Sequence, residues 1–278
     1  MKRIAILIMA AMLTTTSIVG LVGCDNNTST VSSVEEKMND ANFIANVVRG
    51  IEARWSMTNA DDNKNSYDDL SKTEQIQRSK DYVQAELDAI KSIKDYQFED
   101  THLKKLAKQY INALNLQIDG AEYRVSDDTT MYNQTWELGY CYRCVILNEL
   151  VRDYGLTVSS EYQSNLDDFI AEERDSKKFV QIQEFVNDLS DNLKFKLDKE
   201  KSNSYSKYYT AIVNNTTDFN INSITIQVDF IDNAGVVVYQ GSDYISNLKA
   251  GGKNTAEIYI DASTKFEKME YNISAYWS

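Results

Sequence analysis

The sequence predicts an α+β chain, multidomain, with an N-terminal all-α helical bundle followed by a small antiparallel β-sandwich. Three observations predict it. Apolar residues recur at three and four residues from Ser33 to about Lys199, the spacing that gathers side chains on one face of a helix. After Lys201 the period drops to two, which places alternate side chains on one face of a strand. Turn signals such as Gly251-Gly252 then follow one another too closely for a helix to fit between strands, so the strands pair antiparallel. The divisions are a leader over residues 1–23, a polar tether over 24–32, the bundle over 33–200 and the sandwich over 203–278.

The leader opens with Met1-Lys2-Arg3 and continues with the apolar run Ile4 to Leu13, a secretory pattern too short to span a bilayer. Leu21-Val22-Gly23-Cys24, followed by polar Asp25-Asn26-Asn27, resembles the lipobox of bacterial lipoproteins. The resemblance implies cleavage before Cys24, a diacylglycerol thioether on its sulfur, and a membrane partner reached through that anchor on the extracytoplasmic side. Two acyl chains, at about 0.8 kcal/mol per buried methylene, hold a protein lastingly where one chain is marginal. Asp25 to Ser32 is rich in Asn, Thr and Ser and reads as a flexible tether. Proline is absent, which excludes a proline-rich stalk.

Cleavage takes away Lys2 and Arg3 and no acid, so the mature chain is two units more negative than the −13 of the full sequence. That balance has the wrong sign for nucleic acid or for direct adsorption to anionic lipid, and no nucleic-acid partner is expected.

The helices follow in order. Ile44, Val48, Ile51 and Trp55 form the first stripe, with Ser33 and Glu36 spaced as a capping box at its start. Val83, Leu87 and Ile90 mark a second helix, and Leu103, Leu106, Tyr110 and Leu114 a third that ends near Gly120. Trp136, Tyr140, Cys144, Leu147 and Val151 run down a fourth, closed by Gly155. Leu166, Phe169 and Ile170 give a short fifth, and Phe179, Ile182, Val186, Leu189 and Leu193 a sixth. Each stripe covers one face only, as helices around a shared core require.

The strands are Tyr208 to Val213, Ile224 to Phe230, Val236 to Tyr239, Ala256 to Ile260 and Met269 to Trp277, with Asp232-Asn233-Ala234-Gly235 as one of the turns. Tyr209 to Thr216, Ile224 to Asp232, Gly235-Val236-Val237 and Asn247 to Gly251 together resemble the FxLYD domain of bacterial envelope lipoproteins. Val228, Phe230 and Ile231 stand where that family has Phe, Leu and Tyr, and Asp232 is retained. The resemblance implies a small β-sandwich appended to other extracytoplasmic parts, with no established catalytic residues to carry over.

Chemistry-bearing patterns are sparse. Cys141 and Cys144 form a C-x-x-C inside a helix, where they read as buried small apolar side chains, as a candidate disulfide, or as a redox or metal pair. A zinc site lacks ligands, because there is no second cysteine pair and His102 is the one histidine, so no metal is expected. Asp61, Asn63, Asn65 and Asp69 occupy calcium-loop positions, but Ser66 stands where Gly should turn the chain and Lys72 where Glu should close the cage. An inter-helix turn explains them better. Glu172 and Glu173 are adjacent on a helix and point apart, so they make no acid and base pair. His102 reads as a solvated surface residue, and no catalytic residue or cofactor is implied.

Trp55, Trp136 and Trp277 are explained by core packing, while Tyr205, Tyr208 and Tyr209 beside Lys207 are candidates for exposed aromatic contact. The function expected from sequence is that of a non-enzymatic envelope lipoprotein, an interaction module for a surface protein or wall polymer. The alternative is a solute-binding or enzymatic lipoprotein with a ligand cleft between its two parts.

Overall fold

A computed structural model describes residues 38–63, 67–90 and 92–277. Cys24, the leader, the tether and the Ser33 and Glu36 pair lie outside the described residues. The chain is helical in its N-terminal part and continues into small antiparallel sheets, an α+β arrangement.

Helix α1 (Asp40–Asp62) starts at its own reciprocal cap: Asn39 accepts from the Asn42 amide at 3.0 Å, and Asn42 accepts from the Asn39 amide at 2.9 Å. Its buried face runs through Phe43, Val47, Ile51 and Trp55, while Ile44 and Val48 are half-buried beside it. The predicted stripe is thus rotated by one residue in its first half, because two apolar stripes overlap there and only Ile51 and Trp55 belong to both.

Helix α2 (Lys72–Ile90) crosses α1 at Gly50, where a Cβ would stand 2.6 Å from the carbonyl oxygen of Glu86. Only glycine allows that backbone approach. Helix α3 (Thr101–Gly120) is capped by Asp100, whose carboxylate accepts from the amides of His102 and Leu103. Its predicted stripe of Leu103, Leu106, Tyr110 and Leu114 is buried as a unit.

The predicted fourth helix is compound. A short helix, α4 (Thr129–Tyr132), passes through one π turn, Asn133–Glu137, into α5 (Leu138–Tyr154). Gly155, at φ +66°, closes it in the left-handed conformation, and the Leu156 amide returns to the Leu150 carbonyl at 3.1 Å. Helix α6 (Gln163–Ala171) buries Leu166 and Phe169 but leaves Ile170 exposed. Helix α7 (Glu173–Asn192) is the last.

Six strands follow: β1 (Lys196–Asp198), β2 (Ser206–Asn214), β3 (Ile221–Ile231), β4 (Val237–Leu248), β5 (Lys253–Asp261) and β6 (Lys268–Tyr276). They form two three-stranded antiparallel sheets, ordered β1-β2-β5 and β4-β3-β6. The predicted alternation holds on β3, where Ile224, Ile226, Val228 and Phe230 are buried. The Asp232 turn forms as expected, its carboxylate accepting from the amides of Ala234 and Val236 with Gly235 at φ +82°.

Inward residues of both sheets belong to one apolar cluster, and α7 adds Ile182, Phe185, Val186 and Leu189 to it. On a different face of the same helix, Val180 packs with Leu138 and Cys141 of α5. All described residues fall within one unit of mutual contact, Lys37–Ser278.

Candidate functional site: a buried charged cluster in the helical core

Three helices each place one charged residue on their apolar face. Arg54 follows Ile51 by three on α1, Glu86 follows Val83 by three on α2, and Arg143 precedes Leu147 by four on α5. Glu86 is 0% exposed and Arg143 1%. The Glu86 carboxylate accepts from Arg54 Nη1 at 3.1 Å, from Arg143 Nε at 2.7 Å and from the Tyr110 hydroxyl of α3. Arg54 Nη1 also donates to Gln117 Oε1 at 2.9 Å, and the Arg143 guanidinium lies 4.6 Å from the centre of the Phe169 ring. Among the described residues, two buried side-chain donors have no partner: Gln117 Nε2 and Arg143 Nη2.

Burial opposes the ionisation of Glu86, but attraction to Arg143 and Arg54 prevails and holds its carboxyl below the usual range. Burial, then repulsion from Arg143, lowers Arg54 to about 10, whereas for Arg143 burial is outweighed by attraction to Glu86 and the pKa rises. Arg143 holds the closer contact with the shared carboxylate, 2.7 Å against 3.1 Å for Arg54. At neutral pH all three are charged, which leaves the cluster with one more positive than negative charge.

The residues singled out by sequence are dispersed. Cys141 and Cys144 are free, buried thiols on α5, and burial pushes both pKa values up. The Cys144 thiol donates to the Phe169 carbonyl at 3.1 Å. Tyr205 is 81% exposed, and Tyr208 lies across the β2–β5 pair from Tyr259 with ring centres 5.8 Å apart. Tyr209, one residue on and therefore on the opposite face, packs against Phe230 and Phe266 instead. The three tyrosines do not share a surface. Tyr244, Tyr259 and Tyr276, which sequence reasoning passed over, are exposed, and their signal was period-two alternation on β4, β5 and β6.

Asp61, the first position of the calcium-like stretch, is held by Arg78 Nε at 2.5 Å and by the Tyr82 hydroxyl at 2.5 Å; Asn65 and Ser66 lie outside the described residues. His102 Nε2 sits 2.5 Å from Glu149 Oε1 on the surface. Trp55 and Trp136 are buried, and Trp277 is half-buried against the sheet cluster. A polar depression of about 260 Å³ lies between α7 and Thr216–Asp218, bridged by Gln181 and Asp218 at 2.9 Å.

No protein-family model and no curated protein matches the chain. Among solved structures it is similar to the Pseudomonas fluorescens alkylpurine DNA glycosylase AlkC bound to DNA containing an abasic site analog, at 10% identity over 84% of this chain and 94% of that one, with a TM-score of 0.19. That protein is an enzyme on DNA, contrary to the expected non-enzymatic envelope module without a nucleic-acid partner. The sequence reading is corrected on these points, and neither the module nor its cleft alternative is retained. At this TM-score the likeness carries no argument of its own, so neither glycosylase activity nor DNA binding passes to this chain.

Proposed function

We propose that this chain is a bacterial lipoprotein whose role is to hold a folded helix-and-sheet body at the extracytoplasmic face of a membrane through lipids on Cys24. One observation carries the reading: Leu21-Val22-Gly23-Cys24, after a basic start and a short apolar run and before polar Asp25-Asn26-Asn27. No described helix is long and apolar enough to cross a membrane. The two sheets are read as the faces of a small β-sandwich of the FxLYD kind. Support comes from the single apolar cluster that both sheets share and from the residues of that resemblance on β2, β3 and the Asp232 turn.

Growing cells with a clickable fatty acid tests the anchor. The wild-type chain is expected to take the label and fractionate with membranes, and Cys24→Ser to lose both. Label retained on Cys24→Ser, or a wild-type chain found in the cytosol with its leader uncut, would overturn the proposal.

A further inference from the structure

The helical core makes two demands that its own residues do not meet. Arg54 and Arg143 bring two positive charges to one carboxylate, Glu86, deep in the protein. An unbalanced charge in such surroundings is costly unless a counter-charge accompanies it. In addition, Arg143 Nη2 and Gln117 Nε2 are buried donors without an acceptor among the described residues. Both residues belong to the same network, Arg143 by its bond to Glu86 and Gln117 through Arg54. Water would answer the donors but leave the charge; a negative acceptor answers both.

Size narrows the ligand. Gly139 lies one turn before Arg143 on α5, and a Cβ there would stand 2.9 Å from Gln117 Cγ and 2.5 Å from the Ala113 carbonyl oxygen. Both donors are also closed off from solvent, in a close-packed interior where voids much larger than a water are few, and that favours a monatomic ion over carboxylates or phosphate. We infer that the helical core binds one monovalent anion of halide size, held by Arg143 Nη2 and Gln117 Nε2 and neutralising the excess charge of the Arg54, Glu86 and Arg143 cluster.

The test is thermal unfolding of the full chain in detergent, in sodium chloride against sodium gluconate at matched ionic strength, followed by tryptophan fluorescence. Chloride that binds only the folded state raises Tm by roughly 3–5 °C for each tenfold increase above its Kd, a rise absent in gluconate. Gln117→Glu supplies a built-in counter-charge beside Arg54, so it is expected to unfold at the same Tm in both salts. Chlorine-35 line broadening by the wild-type chain, relieved by bromide competition, reads the site without any variant. Equal Tm in the two salts for the wild type, or no line broadening beyond that of Gln117→Glu, would overturn the inference and leave water as the partner of the two donors.

Discussion

Glu86→Gln isolates the electrostatic part of the core, because glutamine keeps the shape and one acceptor oxygen while removing the charge. In the folded chain Glu86 is fully buried and receives three donors, from Arg54, Arg143 and Tyr110. Without its charge two guanidinium groups are left buried beside each other. Removing one partner of a buried ion pair costs about 3–5 kcal/mol, roughly a fifth or more of the stability of an ordinary domain. For a chain of this size that corresponds to a fall in Tm on the order of 10 °C.

The pH dependence has a definite sign. The Glu86 pKa lies below its ordinary value of 4.5 in the folded state, so its contribution is fully present above that value and is lost as pH falls through the lower, folded one. The gap between wild type and Glu86→Gln should therefore be constant from about pH 5 to about pH 8 and shrink in acid. Urea unfolding followed by circular dichroism measures both effects. A companion variant with Arg54→Met, Glu86→Leu and Arg143→Met should be neutral or up to about 4 kcal/mol more stable, since it removes the desolvation penalty with the attraction. A Glu86→Gln chain within about 1 kcal/mol of wild type would refute the reasoning, because that is the scale of a solvent-exposed pair.

Two further outcomes are expected. Burial, then the bond to Asp61, raises Tyr82 to about 12, and burial carries Tyr110 well above 10; these raised values mean stability that is complete below pH 10 and lost as pH climbs from there. Tyrosinate absorbance should therefore rise in two stages with far-ultraviolet ellipticity lost in the second, and titration of all tyrosines near 10 with the fold intact would contradict this. Asn215, 0% exposed, donates from Nδ2 to the carbonyls of Phe219, Leu248 and Lys249 and accepts from the Thr217 amide and hydroxyl. Asn215→Ala should cost about 2–3 kcal/mol in chemical denaturation by orphaning several of these groups, and a cost under about 0.5 kcal/mol would show that water replaces the side chain.

Periodicity alone makes most elements legible in the sequence. The stripe on α3 and the alternation on β3 and β6 each match one burial pattern, so the sequence leaves a single face to bury. On α1 two stripes overlapped, and choosing between them required knowing that Gly50 meets α2. The strand pattern also began too late: β1 comprises Lys196–Asp198, three residues too short to show a period, and its existence depends on pairing with β2. The buried cluster was overlooked for another reason. A lone Arg or Glu in an apolar stripe looks like interruption, and only the meeting of three such interruptions at Glu86 turns them into a network. The signal was there, in the offset of each from its neighbouring stripe, but pairing across helices is not written in any one of them.

Helix α7 gives one face to the α5 side chains and another to the sheets. A fragment cut at about residue 200 would therefore leave Ile182, Phe185, Val186 and Leu189 greasy and uncovered on the first piece, and strip the second of its lid. Severed there, both pieces are candidates for clumping; a cut ahead of Glu173 keeps the lid with the sheets it covers.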